Sequence, residues 1–167
     1  MTSSAKRIVK VWLPSAFWVG VIALESTNLG SAEHTGWILY PVLHFLFRVS
    51  HAQFADWHMV LRKTGHVIGY SILSLLLFRS WRATFPRLST RWCLQWAVLA
   101  QLSASMVATL DEWHQSFLPS RTGTYKDVIL DSAAAAAVQV LLFLFLRALN
   151  RKTQASGILP VHNSPEE

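Results

Sequence analysis

Long apolar runs, not short alternating ones, set the frame of this chain. Trp92 to Leu110 carry no charge, and Val128 to Leu146 carry one, Asp131. Crossing the hydrocarbon of a bilayer takes about 20 mostly apolar residues in a helix, and both runs meet that length. Two weaker runs join them. Ile8 to Leu24 contains Lys10 near its start, from which lysine can snorkel, and is followed by Glu25. Thr64 to Trp81 is apolar through Leu75-Leu76-Leu77-Phe78, with His66 and Tyr70 near its start and Arg79 near its end. Pro14 is expected near the first turn of the first span, where proline costs least. The pattern predicts an all-α polytopic membrane protein with about four transmembrane helices. A soluble helical bundle is the competing architecture, but the uncharged run from Trp92 leaves no polar face for water.

Between the first two spans lies a connection, residues 25–62, with its own apolar stretch from Trp37 to Phe47. It is too short to span. Trp37 and Tyr40 suit an interface, and Pro41 makes a break in a helix credible, so an interfacial or re-entrant segment is expected. Phe54, Trp57 and Leu61 follow at helical spacing and predict an amphipathic helix leading into Arg62-Lys63 and the second span. Residues 1–152 read as one transmembrane domain without internal repeats. Residues 153–167, with Gly157, Pro160, Asn163 and Pro165, read as a disordered polar tail.

Charge orients the spans. The chain is 14% charged and 12% aromatic, with a net charge of +6, which alone would admit nucleic acid as a partner. The placement of the charges argues against it. Lys6, Arg7, Lys10, Arg79, Arg82, Arg87, Arg91, Arg147, Arg151 and Lys152 fall on one side of a four-span layout, with only Glu166 and Glu167 against them. The other side holds Arg48, Arg62, Lys63, Arg121 and Lys126 against Glu25, Glu33, Asp56, Asp111, Glu112, Asp127 and Asp131. The positive-inside rule makes the first side, and both termini, cytoplasmic. No nucleic-acid partner is expected; the lipid bilayer is. Cys93 has no second cysteine to pair with. The amino-terminal run also has the pattern of a signal peptide, but no convincing small-residue cleavage site follows Leu24, and it reads as a retained span.

Chemistry concentrates between the last two spans. Asp111, Glu112 and Gln115 close the third span, Pro119 breaks the helix, Arg121 stands in a loop with Thr122-Gly123-Thr124, and Asp127 and Asp131 lie one turn apart at the start of the fourth. Thr124 could cap that helix, with Asp127 imitating a capping box, and carboxylates at a helix amino end suit its dipole. Lys63, His66 and Tyr70, at i, i+3 and i+7, share one stripe of the second span. A snorkelling lysine, a capping histidine and an interfacial tyrosine are the plain alternative reading of that stripe. Charges in a low-dielectric setting must find partners. One outward-facing cluster of Lys63, His66, Tyr70, Glu112, Gln115, Arg121, Asp127 and Asp131 is therefore expected. A metal variant can be written from Glu112, His114, His66, Asp127 and Asp131. No zinc spacing such as H-E-x-x-H occurs, and Glu112 and His114 at i, i+2 point apart on a helix, so neither metal nor cofactor is expected.

The pairing of Arg62-Lys63-x-x-His66-x-x-x-Tyr70-x-x-Leu73 with Asp111-Glu112-x-x-Gln115-x-Phe117-x-Pro119-x-Arg121-x-x-Thr124-x-x-Asp127 resembles the VanZ-like family of small bacterial membrane proteins. The resemblance covers about residues 8 to 147. It departs at Asp131, where the family typically has asparagine, and at the alanine run Ala133 to Ala137, where it typically shows a small glycine. The resemblance implies a multi-span protein of the cytoplasmic membrane, with one founding member linked to resistance against teicoplanin-type glycopeptides.

Three functions fit these residues. The first is an enzyme or lipid-handling factor for a cell-envelope substrate such as a lipid-linked phosphate. Arg121 would grip phosphate or carboxylate with its planar fork, Lys63 would add a point charge, and Gln115, Tyr70, Asp127 and Asp131 would complete the binding site. Glu112 or Asp111 would be general acid or base, with His66 sharing that role. The second is a non-enzymatic binding protein that associates with an envelope compound or with envelope machinery. In the third, the cluster only locks the outer end of the bundle.

Overall fold

A computed structural model describes residues 3–27, 32–86, 91–119, 121 and 123–156. Five helices and no strands form among the described residues: α1 (Ser3–Glu25), α2 (Ala32–Phe47), α3 (His51–Thr84), α4 (Leu94–Gln115) and α5 (Tyr125–Ser156). Three of the expected spans lie inside α1, α3 and α5, and the run from Trp92 starts two residues before α4. Among the described residues only α1 over Lys6–Glu25 and α5 over Tyr125–Arg151 are long and apolar enough to cross a membrane, so α4, expected to be one of the clearest spans, does not meet that measure. The inner helices carry the polar and small residues that dilute α3 and α4.

Helix α3 is the hub, packing against each of the other four. The predicted amphipathic helix and second span are one continuous element of 34 residues, about 51 Å at 1.5 Å per residue. Ser50 starts it with a reciprocal capping box, its hydroxyl accepting from the Gln53 N–H while Gln53 accepts from the Ser50 N–H at 2.9 Å.

Small residues let the helices approach. Ala97, Ala100, Ala104 and Ala108 form a buried stripe on α4, alongside Trp96. The opposite stripe of the same helix, Leu94, Val98, Leu102, Met106 and Leu110, is exposed. A helix in water would reverse that pattern; large apolar groups outside and alanine inside suit a lipid surround. Polar side chains then tie helix to helix. Gln139 Nε2 donates to the Ser74 hydroxyl at 2.8 Å and to its carbonyl at 3.0 Å, Ser74 donates to the Ala135 carbonyl at 3.0 Å, and Gln101 donates to the Ser132 carbonyl at 3.0 Å.

The four long helices alternate in direction. At one end Trp12 donates to Thr84 at 3.0 Å, Trp96 donates to the Phe85 carbonyl at 2.9 Å, and Arg82 lies over the Trp96 ring. At the other end the polar cluster gathers.

Three expectations change. Pro14 lies in the interior of α1, because the helix begins at Ser3. Ser80 of α3 comes within 3.3 Å of the Val11 carbonyl and 2.9 Å of the Ser15 hydroxyl, so polar groups sit where the proline interrupts the ladder. Helix α2 runs unbroken through Pro41 and leans on α3, with Tyr40 stacked on His51 at 3.9 Å; Trp37, Phe45 and Phe47 remain exposed. Finally α5 continues to Ser156, so the first residues of the expected polar tail are helical. Residues 157–167 lie outside the described residues, as does Arg87 of the basic side.

The alanine stripe gives the first prediction. Ala104→Leu is expected to cost about 1–3 kcal/mol by overpacking, read as a lower melting temperature of the detergent-purified protein. Leu102→Ala, on the outer face, is expected to leave it within about 0.5 kcal/mol.

Candidate functional site

Seven of the eight side chains expected to cluster meet at the junction of α3, α4 and α5. His66 Nδ1 donates to Asp131 Oδ2 at 3.1 Å, and the Tyr70 hydroxyl donates to Asp111 Oδ2 at 3.1 Å. The stripe on α3 exists, with the His66 and Tyr70 rings stacked at 6.2 Å. Lys63 Nζ stands 3.7 Å from Asp127 Oδ1. Asp111, Glu112, Gln115, Asp127 and Asp131 are all buried.

Helix α5 begins as the sequence predicts in half of its cap. The Asp127 N–H donates to Thr124 Oγ1 at 3.3 Å. The reciprocal bond of a capping box is supplied from elsewhere, because the Thr124 N–H donates to Glu112 Oε2 at 2.9 Å. Asp127 is thereby released to pair with Arg62 and Lys63, at 3.6 and 3.7 Å. Arg62, which opens the family motif but is not among the eight residues expected to cluster, also donates to Gln115 Oε1 at 3.5 Å. Its neighbour Lys63 shares a stripe with His66, yet both cations reach the same carboxylate.

Arg121 departs from expectation. It is buried, and its guanidinium donates to the carbonyl oxygens of Glu25 and of Thr27, the latter at 2.9 Å. Its acceptors are thus the end of α1 and the turn beyond it. A helix leaves its last carbonyls unsatisfied and carries negative potential there, so the cation caps α1 rather than gripping a carboxylate or an outside ligand. Ser26 adds a second tie, a 3.1 Å hydrogen bond with His114 Nδ1 on α4. The expected separation of Glu112 and His114 is seen: Glu112 is buried and His114 is exposed.

Gly123 is the residue whose importance its type and spacing did not announce. A Cβ on it would collide with the Glu112 carbonyl oxygen and lie 2.7 Å from the Ser116 nitrogen. The loop crosses the end of α4 with its backbone in contact, which only glycine permits. Ser120 and Thr122 lie outside the described residues.

Four carboxylates, Asp111, Glu112, Asp127 and Asp131, stand against Arg62, Lys63, Arg121 and the His66 imidazole. Arg62 and Lys63 share Asp127, while Arg121, whose hydrogen bonds go to backbone carbonyls, keeps its charge and acts on Asp111 and Glu112 through space. Among the described residues, Asp111, Glu112 and Asp131 have no lysine or arginine salt bridge; Asp131 has His66 alone. Asp111 Oδ1, Glu112 Oε1 and Asp131 Oδ1 are buried without a hydrogen-bond partner. Burial raises the proton affinity of Glu112 above its ordinary value; the Thr124 N–H opposes that rise, Asp127 adds to it, His66 opposes it and Asp111 adds to it. A cavity of about 20 Å³ opens beside the cluster, lined by Glu25, Ser26, His66, Tyr70, Asp111 and Gln115 among others. That is room for about one water. One ligand atom from each of His66, Asp111 and Glu112 lies within 4.8 Å of the other two, so metal-binding groups absent from any local spacing converge from two helices.

Compared with known proteins, the chain matches the model of a protein family described as VanZ/LLP1 over residues 11–147. No curated protein and no solved structure matches it.

Two predictions arise from this geometry. Gly123→Ala and Arg121→Ala are each expected to lower the amount of folded protein in membranes, the first by collision and the second by leaving the Glu25 and Thr27 carbonyls without the Nη2 donor that serves both; quantitative immunoblotting and melting in detergent measure this. Glu112 predicts a pH effect. Its folded proton affinity exceeds the unfolded one, so its stabilising contribution is complete below pH 4.5, the ordinary value, and is lost as the pH rises through the folded value. With a chelator present, the wild-type melting temperature is expected to fall over that window more than that of Glu112→Gln, which has nothing to titrate there.

Proposed function

We propose that this chain, which belongs to the VanZ/LLP1 family, is a four-span protein of the cytoplasmic membrane that handles a lipid-linked envelope substrate at the outer leaflet. Basic residues at the end holding Lys6, Arg7, Lys10, Arg82 and Arg147 support a cytoplasmic placement of that end and of both termini. The polar cluster then faces outward. The observation that carries the reading is the set of buried carboxylates with oxygens left over beside a cationic rim. A purely structural lock would use those atoms up.

In this reading the rim binds and the interior reacts. The Lys63 side chain is 54% exposed and offers a mobile point charge to a phosphate, and Arg62 adds a guanidinium held by Asp127. Glu112, whose proton affinity burial raises, serves as the general acid or base, and His66, oriented by Asp131, shares that task. Resistance to teicoplanin-type glycopeptides, implied by the sequence resemblance, would follow from altered handling of the envelope precursor. The lock reading is favoured by Arg121 and is assigned here to the loop alone: Arg121 and Gly123 hold the scaffold, and the His66, Asp111 and Glu112 groups do the chemistry.

The test is teicoplanin susceptibility in a host expressing the chain. Glu112→Gln and Lys63→Ala are expected to abolish any protection at unchanged membrane levels; if Glu112→Gln protects as well as wild type, acid–base chemistry at that residue is abandoned. Topology is checked on a Cys93→Ser background. The exposed position in Tyr125→Cys is expected to react with an impermeant maleimide added outside intact cells, and labelling only after lysis would reverse the orientation.

A further inference from the structure

We infer that His66, Asp111 and Glu112 form a binding site for one divalent transition-metal ion, of the zinc or manganese type, between α3 and the end of α4. Their candidate ligand atoms lie within 4.8 Å of one another. Ligands about 2.1 Å from a shared ion stand roughly 3–3.5 Å apart, so modest side-chain rotation closes the set around an ion.

The second, independent observation is how each ligand's other atom is used. Asp111 is 8% exposed; its Oδ2 accepts from Tyr70 and its Oδ1 has no partner. Glu112 is 3% exposed; its Oε2 accepts from the Thr124 N–H and its Oε1 has no partner. His66 gives Nδ1 to Asp131, which leaves Nε2 as its ligand nitrogen. Every one of the three is oriented by one atom and left open at another. A carboxylate holding the far nitrogen of a histidine is the usual support of a metal ligand. Asp111 and His66 both line the 20 Å³ cavity, which has room for a water to complete the coordination.

Charge points the same way. Asp111 and Glu112 make no salt bridge to lysine or arginine among the described residues, and Arg121 acts on them only through space. A dication would give the unpartnered Asp111 and Glu112 oxygens a cation at contact distance, which Arg121 does not. One imidazole with two carboxylates suits zinc or manganese; calcium prefers an all-oxygen shell of six or more ligands, and magnesium keeps most of its waters. The site uses the cluster assigned above to a lipid-linked substrate but does not depend on that substrate.

The test uses the full chain, tag removed, in detergent, stripped with EDTA and equilibrated with Zn²⁺ or Mn²⁺ alone, without lipid. About one bound ion per chain is expected, with a rise in melting temperature on metal addition. His66→Ala and Asp111→Asn are expected to weaken binding more than 100-fold, and Asp131→Asn, which alters the group behind the histidine, by about 10–100-fold. Asp56→Asn, at an exposed carboxylate, is expected to bind as wild type. Binding lost in His51→Ala, at a histidine outside the cluster, and kept in His66→Ala overturns the proposal. So does wild-type protein that retains neither ion and shows no metal-dependent melting shift, a result read without the His66 variant having to fold. Metal binding with unaltered teicoplanin susceptibility would sink the substrate reading alone.

Discussion

A carboxylate buried in an apolar bundle must be met by donors, and four of them govern how these helices stand. Asp111, Glu112, Asp127 and Asp131 each receive a donor from a different helix or loop: Tyr70 and His66 from α3, the Thr124 N–H from the start of α5, and the Arg62-Lys63 pair from further up α3. Those contacts fix the depth of α3 against α4 and α5. The alanine stripe of α4 and the Ser74–Gln139 hydrogen bonds then continue the packing toward the opposite end.

The two ends of the bundle are built on different physics. At the basic end, tryptophan N–H groups reach hydroxyls and carbonyls, and arginines lie over aromatic rings. These contacts tolerate small displacements. At the acidic end the acceptors are buried carboxylates, where a displaced oxygen loses far more than a displaced ring edge. Geometry is therefore most tightly specified where the unpartnered oxygens are, as a site for chemistry requires.

Much of this was legible in the sequence because apolar runs and charged interruptions are strong signals. The four long helices, the His66–Tyr70 stripe, the Thr124 cap and the convergence of the acidic residues all follow from spacing and from the cost of burying charge. What was not legible depends on backbone. Arg121 is answered by carbonyls of Glu25 and Thr27, which no side-chain pattern announces. Gly123 matters because a helix end passes beneath it, a fact of three-dimensional approach. Arg62 and Lys63 are adjacent, and only the rotation of α3 decides that both reach Asp127. Proline misled twice: Pro14 and Pro41 sit within continuous helices, where neighbouring contacts outweigh a local preference. A ligand set drawn from α3 and α4 is likewise invisible to any search for short motifs.

The clamp of Arg121 on the end of α1 joins residues that leave the ribosome far apart, as the separation of 94 positions from Thr27 shows. Until the loop between α4 and α5 has been made, the last carbonyls of the first helix lack their cation. The first helix can therefore settle on α3 before that loop exists, but its end is closed only when residue 121 arrives. The order of synthesis and the order of closure thus differ at this end of the bundle, where the first helix made waits for a loop from the second half of the chain.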